Sequence, residues 1–197
     1  MDRPPLWAKI TDGINAVVWR APLPHRAKRL LSGNIYRNPA MSAERAAETL
    51  ATLDRAGVTV CCMGGWGVDA LIGEQSRKHR DLDLIIAKDG QAVAMEALAG
   101  LGYHFWYEQS ADGFLGNRIV VRDRAMRVVD VHPIDFDEAD LSIVAGSIGG
   151  HPVKCLSAGQ QVRDHAKFRN RSLRERRNQR SNAEVARRAL ETEAPSS

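Results

Sequence analysis

The sequence predicts a mixed α/β (α+β) fold in which helices lie against one side of a mixed β-sheet. In the first half of the chain, short apolar runs alternate with alanine-rich segments of helical periodicity. In the second half, valine-rich runs follow one another without a helix between them. These patterns predict strand–helix–strand units that continue into an antiparallel set. With 197 residues and 44% hydrophobic content, the chain suffices for one compact domain with a small helical appendage.

The individual elements follow from periodicity and from cap residues. Residues 43–56 carry a helical apolar stripe, with Ser42 as a plausible N-cap and Gly57 at the end. Further strands are predicted at 58–63, 82–87, 103–107, 118–122 and 127–131, and further helices at 66–72, 91–101, 157–168 and 171–190. Residues 1–40 contain five prolines, so we expect a loosely ordered or peripheral lead there.

Charge is distributed unevenly along the chain. Residues 1–40 hold seven basic and two acidic residues, residues 41–162 hold eleven and seventeen, and residues 163–188 hold ten and three. We therefore predict a basic N-terminal lead at 1–40, a core at 41–160 and a basic C-terminal helical region at 161–197. An acidic core with basic ends is typical of a metal site flanked by arms that bind a polyanion.

The sequence carries no pattern of membrane insertion or export. No apolar run approaches the length of a membrane span, and residues 1–9 lack the apolar centre of a signal peptide. We therefore expect a cytoplasmic protein with no membrane partner. Translation can begin at Met1 or at Met41, and the sequence leaves both open.

Several residues that often bind metals or ligands are expected to be structural. Cys61 and Cys62 are adjacent and Cys155 is distant, so neither zinc-ligand spacing nor a disulfide framework is indicated. We interpret all three as small apolar core residues. His79 is expected to stabilise a turn rather than to contact phosphate, and Trp66 to pack in the core.

Two aspartates open the second predicted strand. Asp81 and Asp83 are two residues apart, so on a strand their side chains point to the same face. Two carboxylates on one face repel each other unless a cation lies between them. Mg²⁺ prefers such oxygen ligands and leaves positions for phosphate oxygens. The pair therefore predicts a site for a metal-bound nucleoside triphosphate, although acidic pairs also occur at solvated strand ends.

Glycines and basic residues surround the acidic pair. Gly64 and Gly65 follow the first strand, where backbone N–H groups can approach a phosphate closely. A plain tight turn is the alternative interpretation of the two glycines. Arg77, Lys78 and Arg80 immediately precede the acidic pair, and we predict that they bind the β and γ phosphates.

A third carboxylate lies in a valine-rich strand. Asp130 is flanked by apolar residues, where an acid is costly unless it is paired, hydrogen-bonded or metal-bound. If this strand lies beside the strand of Asp81 and Asp83, three carboxylates converge, as a two-metal phosphoryl-transfer site requires. The alternative, which the apolar flanks make less favoured, is an ion pair with an arginine nearby in the sequence: Arg122, Arg124 or Arg127.

Two motifs resemble those of a known enzyme family. The run 64–83, which opens with Gly-Gly-Trp and closes with Asp-Leu-Asp, and the run 129–133 are similar to the small antibiotic nucleotidyltransferases that modify lincosamides and the 2″ position of aminoglycosides. Residues 155–158 and His165 also resemble a helix-opening segment of these enzymes. That group belongs to the nucleotidyltransferase superfamily, and the resemblance implies a polymerase-beta-like fold.

The resemblance also implies roles for individual residues. Asp81 and Asp83 would hold metal, Asp130 would be the third ligand or the general base, and Gly64 and Gly65 would hold the phosphates. A two-ion Mg²⁺ site and a nucleoside triphosphate co-substrate follow from these roles.

The C-terminal segment departs from this resemblance. After His165 the antibiotic enzymes usually continue with a glycine–tyrosine pair and an acidic stretch, whereas residues 166–171 here are Ala-Lys-Phe-Arg-Asn-Arg. Arginine suits forked phosphate contacts. A solvated charged helix is the alternative interpretation of this run. The predicted RNA-binding residues are Lys167, Arg169, Arg171, Arg174 and Arg177.

The basic ends support a second resemblance. The chain is similar to the minimal nucleotidyltransferase toxins of bacterial toxin–antitoxin modules, which share the core and the catalytic acids. We therefore predict a metal-dependent transfer of a nucleoside monophosphate to the 3′ end of tRNA that blocks translation, with tRNA and a cognate antitoxin as partners. The alternative is an antibiotic nucleotidyltransferase that confers resistance, and a catalytically idle binding module is a third hypothesis. The preferred nucleotide and the oligomeric state stay open.

Overall fold

The computed structural model describes residues 6–24, 27, 40–110, 117–136, 141–167 and 173–193. In chain order the elements are α1 (Leu6–Arg20), α2 (Ala43–Arg55), β1 (Val60–Met63), α3 (Gly64–Ile72), β2 (Asp81–Ala87), a 3₁₀ turn (Lys88–Gly90), α4 (Gln91–Gly100), β3 (His104–Ser110), β4 (Asn117–Arg122), β5 (Val128–Ile134), β6 (Ile143–Ile148), β7 (His151–Leu156), α5 (Ala158–Lys167) and α6 (Leu173–Glu193).

One mixed sheet organises the described residues. Its seven strands lie in the order β3-β4-β5-β2-β1-β7-β6. Strand β2 is antiparallel to β1 and parallel to β5, and β4 is antiparallel to β5. The mixed α/β architecture predicted from the sequence is therefore confirmed.

Helix α2 begins and ends where its cap residues predict. Ser42 is the N-cap, and its hydroxyl accepts a hydrogen bond from the Arg45 backbone N–H at 3.3 Å. Gly57 follows the helix with a φ of 78°, a conformation that glycine adopts without steric cost. Leu50 and Leu53 lie on the buried side of the helix.

The two faces of the central strands differ in what they contact. Leu82 and Leu84 of β2 are fully buried in one cluster with apolar residues of α2, α3 and α4. A smaller cluster that includes Ile85 lies on the opposite face. Because side chains alternate along a strand, β2 sends every second residue into the main core, while Asp81 and Asp83 point to the other face.

The hairpin of β6 and β7 lies outside the strands predicted from the sequence. Gly146 and Pro152 interrupt the apolar pattern, and both residues weaken a strand prediction. The turn is formed by Gly149 and Gly150, with φ of 57° and 81°, as a two-residue hairpin turn requires. Strand β7 then pairs in parallel with β1, so sheet pairing rather than local propensity decides this region.

The N-terminal lead contains a helix where loose order was one expectation. Helix α1 lies against the edge of the sheet, because Arg122 of β4 is held there by three partners. The Arg122 guanidinium lies 5.5 Å from the Trp7 ring, 4.5 Å from the Trp106 ring and 2.8 Å from an Asp12 carboxylate oxygen. The contacts of Arg122 with Trp7 and Asp12 join residues at least 110 positions apart, so the sequence pattern cannot reveal them.

The described helices do not meet the requirements of a membrane span. In the ranges that the structure describes, no helix is both long enough and apolar enough to cross a bilayer.

The three cysteines, Cys61, Cys62 and Cys155, are buried free thiols, as expected of apolar core residues. Burial raises the pKa of Cys61 to about 12, which makes it an unreactive thiol.

Candidate active site

Three aspartates share one face at the edge of the sheet where β2 begins. In the parallel pairing of β2 with β5, Asp83 lies directly beside Asp130. Paired residues of neighbouring strands point to the same face, and Asp81 is two residues before Asp83 on that face. The structure thus brings together the three carboxylates that the sequence singled out.

Asp130 forms an ion pair with an arginine that the sequence analysis did not consider. The Arg118 Nε–H donates to Asp130 Oδ1 at 2.6 Å, and Nη2 donates to Oδ2. The paired strands place Val120 opposite Asp130, so Arg118 is its diagonal neighbour on the same face. This register, rather than closeness in sequence, selects the partner.

The arginines considered from the sequence are engaged elsewhere or exposed. Arg122 pairs with Asp12, and Arg127 pairs with Asp123 at 2.6 Å. Arg124 is exposed. An ion pair at the third carboxylate, the less favoured interpretation, is therefore present in the structure, with a different arginine as the partner.

Burial and a neighbouring negative charge both affect the pKa of Asp81. Loss of hydration among the surrounding protein atoms raises the pKa of Asp81 above its ordinary value, and the neighbouring charge of Asp130 adds to this rise. Arg77, His79 and Arg118 act in the opposite direction. Burial, and after it the charge of Asp130, therefore outweighs the three cations at Asp81 and disfavours its ionised form.

The donor set fits a hard divalent cation in its chemistry. Asp81 and Asp83 offer carboxylate oxygens on one face, and Asp130 lies next to them. Over the described ranges, however, no group of three or more His, Cys, Asp or Glu side chains is already arranged to hold a metal ion. Both carboxylate oxygens of Asp130 accept hydrogen bonds from Arg118.

The two glycines are required by close approach. Gly64 begins α3 with a φ of 65°, and a Cβ on it would lie 2.9 Å from Asp83 Cγ and closer still to Oδ2. A Cβ on Gly65 would lie 2.7 Å from His79 Cε1 and 2.8 Å from Arg77 Nη2. Only glycine therefore lets the carboxylate, the imidazole and the guanidinium meet the start of this helix.

The start of α3 can receive an anion. Its N-cap, Met63, provides no side-chain hydrogen bond to the first turn. The first N–H groups of a helix lack partners within the helix, and the helix dipole adds positive potential there. A phosphate at the Gly64–Gly65 turn would meet both effects.

A buried network supports the turn from behind, and the sequence analysis missed its central residue, Asp69. His79 is 1% exposed, and its Nε2 lies 2.5 Å from Asp69 Oδ2. Asp69 also accepts from the Ser76 backbone N–H at 3.0 Å and from its hydroxyl at 2.6 Å. The imidazole lies 4.6 Å from the Trp66 ring at an angle of 47°, and Trp66 packs in the core as expected. The spacing of Asp69 ahead of a polar turn was the available sequence signal.

The three predicted phosphate-binding cations differ in their surroundings. Arg77 is half-buried against Gly65, and burial lowers its pKa while the charges of Asp69, Asp81 and Asp83 oppose this change. The other two side chains, Lys78 and Arg80, are exposed. Arg77 is thus the cation that the structure embeds in the site.

The predicted RNA-binding residues are mostly outside the described part of the chain. Arg169 and Arg171 lie outside the described residues. Lys167, Arg174 and Arg177 belong to helices α5 and α6, but the structure describes only their backbone. Their proposed contact with RNA stays a prediction.

A cleft of about 570 Å³ lies at the other end of β2 and β5. Its volume is in the range of small-molecule sites. It does not contain the three carboxylates, since its lining begins where β2 ends. The lining residues are Thr59, Ala87, Lys88, Asp89, Ile134, Asp135 and Phe136.

Comparison with known sequences gives matches over the site region. The aminoglycoside-2″-adenylyltransferase family matches residues 46–143, which include the site from Gly64 to Asp130. The lincosamide resistance protein of Staphylococcus haemolyticus is 29% identical over 96 residues, which are 49% of this chain and 56% of that protein. The chain therefore matches little more than half the length of this curated relative.

Solved structures of two antibiotic-modifying enzymes have a similar fold. The lincosamide antibiotic adenylyltransferase LnuA, in its lincomycin-bound crystal structure, aligns with a TM-score of 0.61 at 18% identity, covering 76% of this chain and 98% of that chain. The crystal structure of ANT(2″)-Ia with adenylyl-2″-tobramycin gives a TM-score of 0.55 at 19% identity, covering 77% and 98%. At these identities the likeness shows a shared fold.

Proposed function

Because this chain belongs to the nucleotidyltransferase superfamily, we propose that it transfers a nucleoside monophosphate from a nucleoside triphosphate to a hydroxyl group of a lincosamide or aminoglycoside antibiotic. The observation that carries the chemistry is the register of β2 with β5. It places Asp83 beside Asp130, against the glycine turn at the start of α3.

The proposed reaction joins the acceptor oxygen to the α-phosphorus and breaks the bond to pyrophosphate, which leaves. Asp130 would either bind the second metal ion or accept the proton of the attacking hydroxyl. Arg77 and the N–H groups of the Gly64–Gly65 turn would bind the departing phosphates. Positioning and charge complementarity would supply most of the rate enhancement.

A divalent cation would be held by Asp81 and Asp83, with Asp130 as a further ligand in a two-ion site. Such an ion neutralises phosphate charge and polarises the α-phosphate when it is bound. For Asp130 to join, its oxygens must exchange Arg118 for the cation. Mg²⁺ fits because all three donors are carboxylate oxygens.

An antibiotic is proposed as the acceptor of the nucleotide because of the relatives that the chain resembles. The matching family and the curated relative are both described by antibiotics, aminoglycosides in one case and lincosamides in the other. The tRNA acceptor and the antitoxin partner, our first hypothesis from the sequence, have no counterpart among these matches. They depend on the basic ends of the chain, residues 1–40 and 163–188, and on the resemblance of the core motifs to the toxins.

The experiment offers each acceptor class to the same enzyme. The full chain is incubated with Mg²⁺ and each α-³²P-labelled nucleoside triphosphate, in separate reactions with lincomycin, with tobramycin and with total tRNA. Label in an antibiotic adduct, confirmed by its mass, is the expected result. Label in tRNA alone, or in no acceptor, would overturn the proposal.

A further inference from the structure

Helix α6 places a polar residue in the nucleotide site although it lies far from that site in sequence. It contacts α3 and α5. Asn182, Ala186 and Ala189 are buried and are spaced as one face of a helix. Arg187 and Arg188 are exposed. The arginines that give α6 its basic character here therefore lie outside the face that carries Asn182.

The buried amide of Asn182 contacts one site residue, Arg77. Its Oδ1 accepts from Arg77 Nη2 at 2.9 Å and from Nε at 3.3 Å. Arg77 Nη1 donates to the Lys78 carbonyl at 3.3 Å. A guanidinium has more N–H donors than these bonds use, so Arg77 can still donate to a phosphate.

The group that accepts the hydrogen bonds from Arg77 is the amide oxygen of Asn182 and not a carboxylate. An asparagine oxygen fixes the direction of the guanidinium without cancelling its positive charge, whereas an aspartate would form an ion pair with it. The positive charge matters here because Arg77 lies against the glycine turn and its charge interacts with those of Asp69, Asp81 and Asp83. A neutral holder keeps that charge available to an anionic ligand.

We propose that Asn182 is a positioning residue of the nucleotide site, which holds the Arg77 guanidinium against the Gly64–Gly65 turn for contact with the triphosphate. The inference rests on the proposed function, since it assumes that a nucleoside triphosphate binds at this turn. It gives the C-terminal helix a role in nucleotide binding that lies outside the matched segment 46–143.

Two substitutions at Asn182 separate positioning from a structural role. Asn182→Ala removes both hydrogen bonds, and we expect the Kd and the KM for the triphosphate to rise about tenfold with kcat nearly unchanged. Asn182→Asp keeps an oxygen acceptor in place but adds a negative charge, so nucleotide binding should weaken at least as much. If Asn182 only supported the fold, Asn182→Asp would keep the hydrogen bonds and bind nucleotide like the wild type.

The measurements are titrations of a fluorescent nucleoside triphosphate, steady-state kinetics and thermal unfolding, with Arg187→Gln as the control for loss of α6 charge. Asn182→Ala should add no further increase in Kd to Arg77→Met, because its effect acts through Arg77. Equal increases in both backgrounds would overturn the inference. A wild-type Kd in both Asn182 variants would overturn it as well, and would leave the proposed function intact. Absence of nucleotide binding by the wild type would overturn both.

Discussion

Asp83 and Leu84 are neighbours on β2, yet they lie in opposite environments. Leu84 is fully buried in the main core with residues from three helices. Asp83 lies on the other face, beside Asp130 and against Gly64. Because side chains alternate along a strand, neighbouring residues of β2 serve the hydrophobic core on one face and the proposed active site on the other. Substitutions on the two faces should therefore have different effects, and the predictions below test this separation.

The largest effect is expected from Asp83→Asn. Loss of this carboxylate should lower nucleotidyl transfer by at least about 1,000-fold, because charge neutralisation at the phosphates is lost. The side chain keeps its size, so the fold should be retained. Transfer assays and circular dichroism spectra measure the two effects. Activity near the wild-type level would show that this face of β2 is not the catalytic face.

Gly64→Ala tests how closely the catalytic face approaches α3. Its positive φ and the overlap with the Asp83 carboxylate should cost about 1–3 kcal/mol of stability and about 100-fold in activity. Gly57→Ala is the matched control, since Gly57 has a φ of 78° but no atom within 4 Å of an added Cβ. The control should lose about 1 kcal/mol of stability and keep its activity. Similar activity losses in both variants would argue against a role of the Gly64 contact.

Leu84→Ala tests the core face of the same strand. Removal of a fully buried leucine should lower the free energy of unfolding by about 2–5 kcal/mol through lost burial and a cavity. Activity per folded molecule should stay close to the wild-type level at low temperature. Urea unfolding followed by fluorescence gives the stability, and active-site titration gives the folded fraction. A selective loss of kcat in the folded fraction would show that the two faces are coupled.

The smallest effect is expected from Asp81→Asn in metal-free protein. The pKa of Asp81 is raised in the folded state, so its ionisation disfavours folding, and stability falls as pH rises through the folded pKa. Near pH 7 the variant should melt about 1–2 °C higher than the wild type. The gain is modest because Asp81, although crowded by protein atoms, is exposed enough for water to screen its charge. The gain should shrink at acidic pH, as Asp81 becomes protonated. Thermal unfolding in EDTA at neutral and at acidic pH measures the gain. A change in melting temperature that is the same at both pH values, or a lower melting temperature at neutral pH, would contradict the raised pKa of Asp81.

The carboxylates of the site could be predicted because their signals are local. Two aspartates at strand spacing, a double glycine after an apolar run and one acid inside a valine run each follow from a few adjacent residues. Their partners could not be predicted. Arg118 reaches Asp130 through the register of two strands, and no rule of sequence spacing specifies that register.

The structural elements divide in the same way. The cap of α2 and the strand at Asp81–Ala87 have clear local patterns. The hairpin of β6 and β7 has weak strand propensity and forms through pairing with β1. Helix α1 depends on contacts with Arg122, and α6 contributes Asn182 to the site from a segment that the sequence indicated mainly by charge.

By itself, the sequence determined which groups form the candidate site: the carboxylates, the glycine turn and the nearby cations, because side-chain type and alternation are properties of neighbouring residues. The tertiary structure decided how those groups are paired. The side-chain hydrogen bonds of Arg118 with Asp130 and of Arg77 with Asn182 join residues from different elements. The packing of helices and the register of strands bring such residues together, and both are set by burial over the whole chain rather than by any local run.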